Sequence, residues 1–225
     1  MKLYKYETHL HTSESSACAT CSGVEQARIY KKLGYDGIII TDHFFNGNSC
    51  VPRTLPWEER VERFTFGFEH AQKEGKKIGI TVFFGWEESF HGTDFLVYGL
   101  DKKWLINHPD MLQWDIPEHY ARIHADGGYF VHAHPFREAD YIAKTRLYPE
   151  CEDAIEVINA SHKDPMYNQK AAEYAKLHNK PVTSGSDAHH VDSARGGMIF
   201  QHELKDIQDF ISSVNGKKEI TLLGK

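Results

Sequence analysis

The 225-residue chain has 26% charged and 40% hydrophobic residues and a formal charge of −6. Those values suit one soluble globular domain, residues 1–225, with a sizeable core. The negative balance argues against a general nucleic-acid or anionic-membrane surface, though not against a small anionic substrate, because bound cations would reverse the local sign.

The first run, Tyr4 to His11, is strand-like. Side chains alternate along a strand, so His9 and His11 point the same way and can grip one ion. The stretch from Thr12 to Gly23 is small and polar, a loop containing Cys18-Ala-Thr-Cys21. Those cysteines have neither a second pair nor a redox context and read as reduced thiols. Ser22 and Glu25 have capping-box spacing, Val24, Ala27, Tyr30 and Leu33 repeat at helical intervals, and Gly34 ends the helix. A strand, Ile38 to Ile40, leads into Thr41-Asp42-His43; adjacent residues face opposite ways, so His43 is taken as the pocket residue and Asp42 as its orienting partner.

Phe44 to Leu55 is irregular and sits where loops commonly shape a substrate pocket. Pro56 then opens one long helix, Trp57 to Glu74, ended by Gly75. The run Ile80 to Trp86 delivers Glu87, and Asp94 to Gly99 forms a further short strand. Asp115 caps a helix running towards Asp126, and Tyr129 to Val131 leads into His132-Ala133-His134-Pro135, followed by Arg137. His132 and His134 share a face, so spacing alone does not choose between them. Ala154 to Asn159 is strand-like, Asp164-Pro165 opens a helix, and Pro181 to Ser186 leads into Asp187-Ala188-His189. A final amphipathic helix lies around Ile207 to Val214. His70, His108, His119, His124 and His178 are expected to face solvent. No signal-peptide pattern opens the chain and no run of about 18 apolar residues is present, so a cytoplasmic location is expected.

Alternating strands and helices imply an α/β fold with a parallel sheet. Ligands at the ends of many strands favour a closed barrel, in which those ends converge on one face.

Glu7-Thr8-His9-Leu10-His11-Thr12, Thr41-Asp42-His43, His134-Pro135 and Gly185-Ser186-Asp187-Ala188-His189 resemble the four ordered motifs of the polymerase and histidinol phosphatase (PHP) superfamily, with Glu7 where the family usually has Asp. The resemblance implies a distorted seven-stranded β/α barrel, two or three divalent ions (zinc, manganese or iron) and hydrolysis of a phosphomonoester, with a phosphodiester as the alternative, of a small molecule. It also implies ligand roles for His9, His11, Glu87 and Asp187 at a first ion. Glu87 would bridge to a second ion held by His134, and His43 and His189 would hold a third. Asp94, with His91 as competitor, takes the place of a further family ligand; the loop after the first motif offers Glu14, Ser16 and Cys18 where members with a firm third site carry His or Asp. His43 or His189 is the proton donor to the leaving group if the third ion is absent. Arg137 is placed to grip a phosphate oxygen, with pairing to Glu138 or Asp140 as its alternative; Arg195 is a weaker candidate of the same kind. A metal-dependent amidohydrolase and a non-catalytic metal-binding regulatory module are the other readings.

Overall fold

The computed structural model describes residues 2–193, 195–216 and 219–224. Strand β1, Tyr4–Glu7, is followed by helix α1, Gly23–Lys32, and strand β2, Gly37–Ile40. The capping box forms as its spacing implies: the Ser22 side chain accepts from Glu25 N, and the Glu25 side chain reaches back to the Ser22 backbone.

The single helix expected over 57–74 is two, α2 at Trp57–Phe64 and α3 at Phe66–Ile78. The break has a local cause. Ser15 Oγ donates to the Phe64 carbonyl at 2.6 Å, and Thr65 Oγ1 back-bonds the Glu62 carbonyl at 3.1 Å. The offset lets α3 lie against α1 at Gly67 and Gly23, where a Cβ on Gly23 would sit 2.0 Å from the Gly67 carbonyl oxygen.

Strand β3, Thr81–Ser89, runs past its expected end, so Glu87 lies within it rather than after it. It turns through Phe90 to Thr93, which exchange backbone hydrogen bonds of 2.8 and 3.2 Å, and returns as β4, Asp94–Tyr98. After α4 (Lys102–Asn107), a short 3₁₀ turn and α5 (Ile116–Ala125) come β5 (Tyr129–Ala133), β6 (Ala154–Asn159), α6 (Pro165–Leu177), β7 (Val182–Gly185), β8 (Gly197–Phe200), α7 (Ile207–Asn215) and β9 (Thr221–Leu223).

Among the described residues the sheet order is β7-β6-β5-β4-β3-β2-β1-β8-β9. The expectation of an all-parallel sheet is corrected at one place within the ring. The β3–β4 hairpin replaces a crossover, so β4 is antiparallel to both neighbours, while β1–β2, β2–β3, β5–β6 and β6–β7 are parallel. Strand β8 pairs antiparallel with β1 along Tyr4 to Tyr6. Beyond that stretch β1 continues beside the extension of β7: Asp187 N donates to His9 O (2.9 Å), His11 N donates to Ala188 O (3.1 Å), and Leu10 and Ala188 form a parallel bridge. These contacts bring β1 to β7 into a nearly closed, distorted seven-strand ring.

Alternation on β3 sends Glu87 into the ring and Glu88 outward. Glu88 is fully buried among Trp86, Phe90 and the buried His119, so the expectation that His119 faces solvent is corrected. Trp86 Nε1 donates to Glu88 Oε1 at 2.8 Å, but burial dominates and pushes the carboxyl up to about 8. Burial also pulls the His119 imidazole, 4.0 Å away, down to about 4, so the two pack as neutral groups. A carboxyl ordinarily near 4.5 that titrates near 8 when folded keeps its proton in the folded state only, over the interval between. Stability therefore falls as pH rises across that window, by at most about 1.4 kcal/mol per unit. Glu88→Gln keeps the acceptor for Trp86 and removes the titration. The variant's stability advantage over the parent should be larger at pH 8 than at pH 5 in denaturant unfolding at fixed metal concentration. An equal difference at both pH values would show that Glu88 does not titrate there.

Candidate metal centre

The ligand-bearing segments leave the strand ends side by side. His9 and His11 follow β1 on the extension paired with residues 187–188. The extension of β2 stays paired with β3 through the His43–Glu87 bridge, with Phe44 N donating to Glu87 O at 2.8 Å. His134 and Asp187 follow β5 and β7 and adopt positive φ of 32° and 55°, an uncommon conformation for non-glycine residues that turns each side chain into the ring.

Among the described residues three groups have nitrogen and oxygen atoms all within 4.8 Å of one another: His9/Glu87/His134, His9/His11/Asp187 and His11/His43/His189. They interlock. His9 Nε2 is 3.4 Å from Glu87 Oε1, 3.5 Å from Asp187 Oδ1 and 3.1 Å from His11 Nε2. His134 Nε2 is 3.1 Å from Glu87 Oε1, and His43 Nδ1 is 2.6 Å from Glu87 Oε2. His11 Nε2 is 3.1 Å from Asp187 Oδ1, and the Nε2 atoms of His43 and His189 face each other at 3.3 Å.

The hydrogen bonds behind the rings set the tautomers. His9 Nδ1 donates to Glu156 Oε1 (2.9 Å) and His189 Nδ1 to the Asp187 carbonyl (2.9 Å). Ser16 Oγ gives its proton to Asp42 Oδ1 (2.7 Å), so its oxygen accepts from His11 Nδ1 (3.2 Å) and from His43 N (2.9 Å). Each of these three rings therefore turns an Nε2 lone pair inward, as metal-binding imidazoles do. Nitrogen atoms that converge at 3.1 Å (His9 and His11) and 3.3 Å (His43 and His189) form the kind of cluster a divalent cation would satisfy. The carboxylates agree. Burial would raise Glu87 and Asp187, but the imidazoles of His43 and His9 hold Glu87 well below the carboxylate range, and Arg137 and His9 do the same for Asp187. Burial depresses His9, yet Glu156, Asp187 and Glu87 raise it well above an ordinary histidine. The surroundings thus draw positive charge to its position. The donor set fits divalent ions with nitrogen and oxygen ligands.

A family model described as PHP-associated matches residues 165–214. A two-domain protein containing a predicted PHP-like metal-dependent phosphoesterase from Bacteroides vulgatus superposes with a TM-score of 0.74 at 16% identity, covering 99% of this chain and 65% of that one. The chain thus spans 65% of that protein's length. The chain has the PHP fold. PsfC from Pseudomonas syringae (TM-score 0.64, 19% identity, 100% and 93% covered) and an amidohydrolase from Chromobacterium violaceum with bound sulfate and no metal (TM-score 0.59, 14% identity, 97% and 98% covered) share it. No curated protein matches the sequence. The resemblance to the PHP superfamily read from the motifs is borne out.

Within the PHP fold, several expected residues take other places. His132 does not face the ions' position: the chain turns at His134, which breaks the parity, and His132 Nδ1 pairs with Glu152 at 2.7 Å. Asp94 is buried beside Glu87 and His134 with Oδ1 lacking a hydrogen-bond partner, yet it lies outside the three groups. His91 is exposed in the hairpin turn. Arg137 pairs with Asp187 rather than with Glu138 or Asp140. Arg195 lies over the Tyr30 ring, 5.1 Å from its centroid. Glu7, the family's Asp position, is a clamp: its Oε1 accepts from Thr8 N, His9 N and Ser186 N at 2.8–3.1 Å, tying the extensions of β1 and β7 together.

Two contributors, Glu156 and Asn159, were not singled out from sequence. Glu156 supports His9 and also accepts from His134 N (3.2 Å). Its signal was a lone acid inside an apolar strand. Asn159 Nδ2 donates to Glu156 Oε2 (3.1 Å) and, more weakly, to Asp187 Oδ2 (3.4 Å). Cys18 is half-buried at the mouth. Burial raises its thiol, but hydrogen bonds with His189 and His43 overcome this and bring it down to about 6. A cavity of about 560 Å³ opens over the site between Cys18, His43, Asn46, Asp94, Arg137 and His189. No helix among the described residues is long and apolar enough to cross a membrane.

Proposed function

We propose that this chain is a metal-dependent phosphoesterase that hydrolyses a phosphomonoester of a small molecule, as a single catalytic unit spanning residues 1–225. One observation carries the reading: Glu87 reaches two imidazole groups with its two oxygens, next to a cavity edged by Arg137. His9, His11, Glu87, His134 and Asp187 would hold two ions. Asp94 is the nearest reserve ligand. His43 and His189, with side chains 17% and 19% exposed, stand at the mouth. They serve a third ion or, without it, hand a proton to the leaving alcohol.

Bound divalent ions, zinc, manganese or iron, supply charge for phosphoryl oxygens and lower the pKa of water to near neutrality. The chain's own residues do the rest. Arg137 offers two parallel N–H groups to a phosphate oxygen pair. The closed ring and its buried carboxylates fix the imidazoles with Nε2 inward, so little reorganisation accompanies attack of water on phosphorus. The ester P–O bond breaks as the new one forms, and the alcohol departs with a proton. A small phosphorylated substrate and a cytoplasmic setting belong to the same reading, and the charge of −6 disfavours a nucleic-acid substrate without ruling it out.

A metal-dependent amidohydrolase is the second reading, favoured by the similarity to the Chromobacterium violaceum amidohydrolase. Protein stripped by chelator and reloaded separately with zinc, manganese or iron should regain phosphate release from a phosphomonoester panel. Turnover of amides alone would sink the phosphoesterase reading, and full metal loading without turnover of either class would leave a binding module.

A further inference from the structure

Asn46, in the irregular stretch from Phe44 to Leu55, and Ser89, at the end of β3, line the cavity of about 560 Å³ over the metal centre. Both also line a second cavity, of about 630 Å³, beside the β3–β4 hairpin. Ser89 N donates to Asn46 Oδ1 at 3.2 Å, so one hydrogen-bonded pair forms the rim where the two cavities meet. The second cavity is built from rings. Phe90 and Tyr148 are half-buried and both lean on the buried Phe95, with centroids 6.1 and 6.4 Å away at interplanar angles of 73° and 61°. Trp114 and Phe90 stand edge-on to His119, at 5.2 and 4.9 Å between centroids. Rings wedged in this way keep their orientation, and a π-face held in place favours another flat ring.

Two polar groups in the lining are underused. His119 is buried, and neither ring nitrogen has a hydrogen-bond partner. The Met111 backbone lies near enough to act on its protonation but outside hydrogen-bond geometry, and Glu88 Oε1 is 4.0 Å from Nδ1. Buried polar groups are nearly always paired, so an orphaned imidazole in the lining marks a place for the polar edge of a ligand. Arg146 spends Nη1 on the His91 carbonyl (3.0 Å) and forms no ion pair among the described residues. The acid in the same lining, Asp115, is turned to its own helix, where Oδ1 accepts from Glu118 N at 2.9 Å. The guanidinium therefore has donors left for a substituent that accepts.

We propose that this second cavity holds the non-reacting part of the substrate, and that this part is a flat aromatic or heteroaromatic ring carrying a carboxylate or another hydrogen-bond acceptor. The inference rests on the phosphoesterase reading and adds the class of alcohol that leaves. With the phosphoryl group at the metal centre, the rest of the ester crosses the Asn46–Ser89 rim. The ring lies among Phe90, Trp114 and Tyr148, its acceptor meets Arg146, and a polar ring edge meets His119. Binding energy gained so far from phosphorus favours turnover of esters that fill both cavities over esters that fill one.

Three esters of simple aliphatic alcohols test this, because similar leaving groups remove intrinsic reactivity from the comparison: butyl phosphate, phenethyl phosphate and para-carboxyphenethyl phosphate. With metal-loaded enzyme, kcat/KM should rise along that series, by about tenfold at the first step. Phe90→Ala should bring the ratio of the phenethyl to the butyl ester towards one. Arg146→Ala should do the same to the ratio of the carboxylated to the plain phenethyl ester, and this half-buried position keeps the test open should the Phe90 variant fail to fold. Phosphate release without a ring preference, or a preference that both variants keep, overturns the pocket and leaves the phosphoesterase reading standing. No phosphate release from any of the three at full metal loading overturns that reading and the leaving-group role with it.

Discussion

Replacing Glu87 with glutamine should reduce phosphate release by more than about 10³-fold at saturating metal, because its two oxygens face separate imidazole groups. Loss of a partner behind a ligand typically costs roughly 10–100-fold in metal affinity or activity, and loss of the bridging ligand itself exceeds that. Oε1 lies 3.1 Å from His134 Nε2 and 3.4 Å from His9 Nε2, while Oε2 lies 2.6 Å from His43 Nδ1. Glutamine keeps the volume but loses the charge that would neutralise two cations under the proposed function. Bound metal per chain, measured by elemental analysis beside kcat/KM, should fall in step. A variant that retains both its metal and its rate would remove Glu87 from the centre.

Asp187→Asn should be comparably severe, on the order of 10³-fold or more, for a different reason. Asp187 Oδ1 is 3.1 Å from His11 Nε2 and 3.5 Å from His9 Nε2, and Oδ2 pairs with Arg137. Asparagine tolerates the positive φ of 55° found here, so the backbone should hold and the thermal midpoint without metal should change little. The loss should then appear in kcat and in metal content. KM should rise as well, because Arg137 loses the anion that positions it. Unaltered kcat with a higher KM would assign Asp187 to substrate placement alone.

Much of this centre was legible from short-range pattern. Period-two spacing put His9 and His11 on one side, and the pairing of the β1 and β7 extensions keeps that parity. Capping chemistry located α1, α5 and α6 for the same reason: the side-chain bond at an N-cap is local. What failed was non-local or broke the period. The tight turn from Phe90 to Thr93 reverses β3 without a helix, which made β4 antiparallel. The positive φ at His134 undid the alternation on which the His132 comparison depended. Glu156 and Asn159 matter only because β6 lies beside β5 and β7, a neighbour relation that no single segment encodes. Thr65 interrupts a helix whose own residues carry no stop signal, since part of the cause is Ser15, fifty positions earlier.

The pairing of residues 9–11 with 187–188 means that one stretch of backbone both latches the barrel shut and presents the reactive cup. An insertion in either segment would undo the hoop and disarm the chemistry in a single event. At the other end of β1, β8 pairs with Tyr4 to Tyr6 and carries β9 on its outer edge, so neither strand takes part in the pairing that closes the ring.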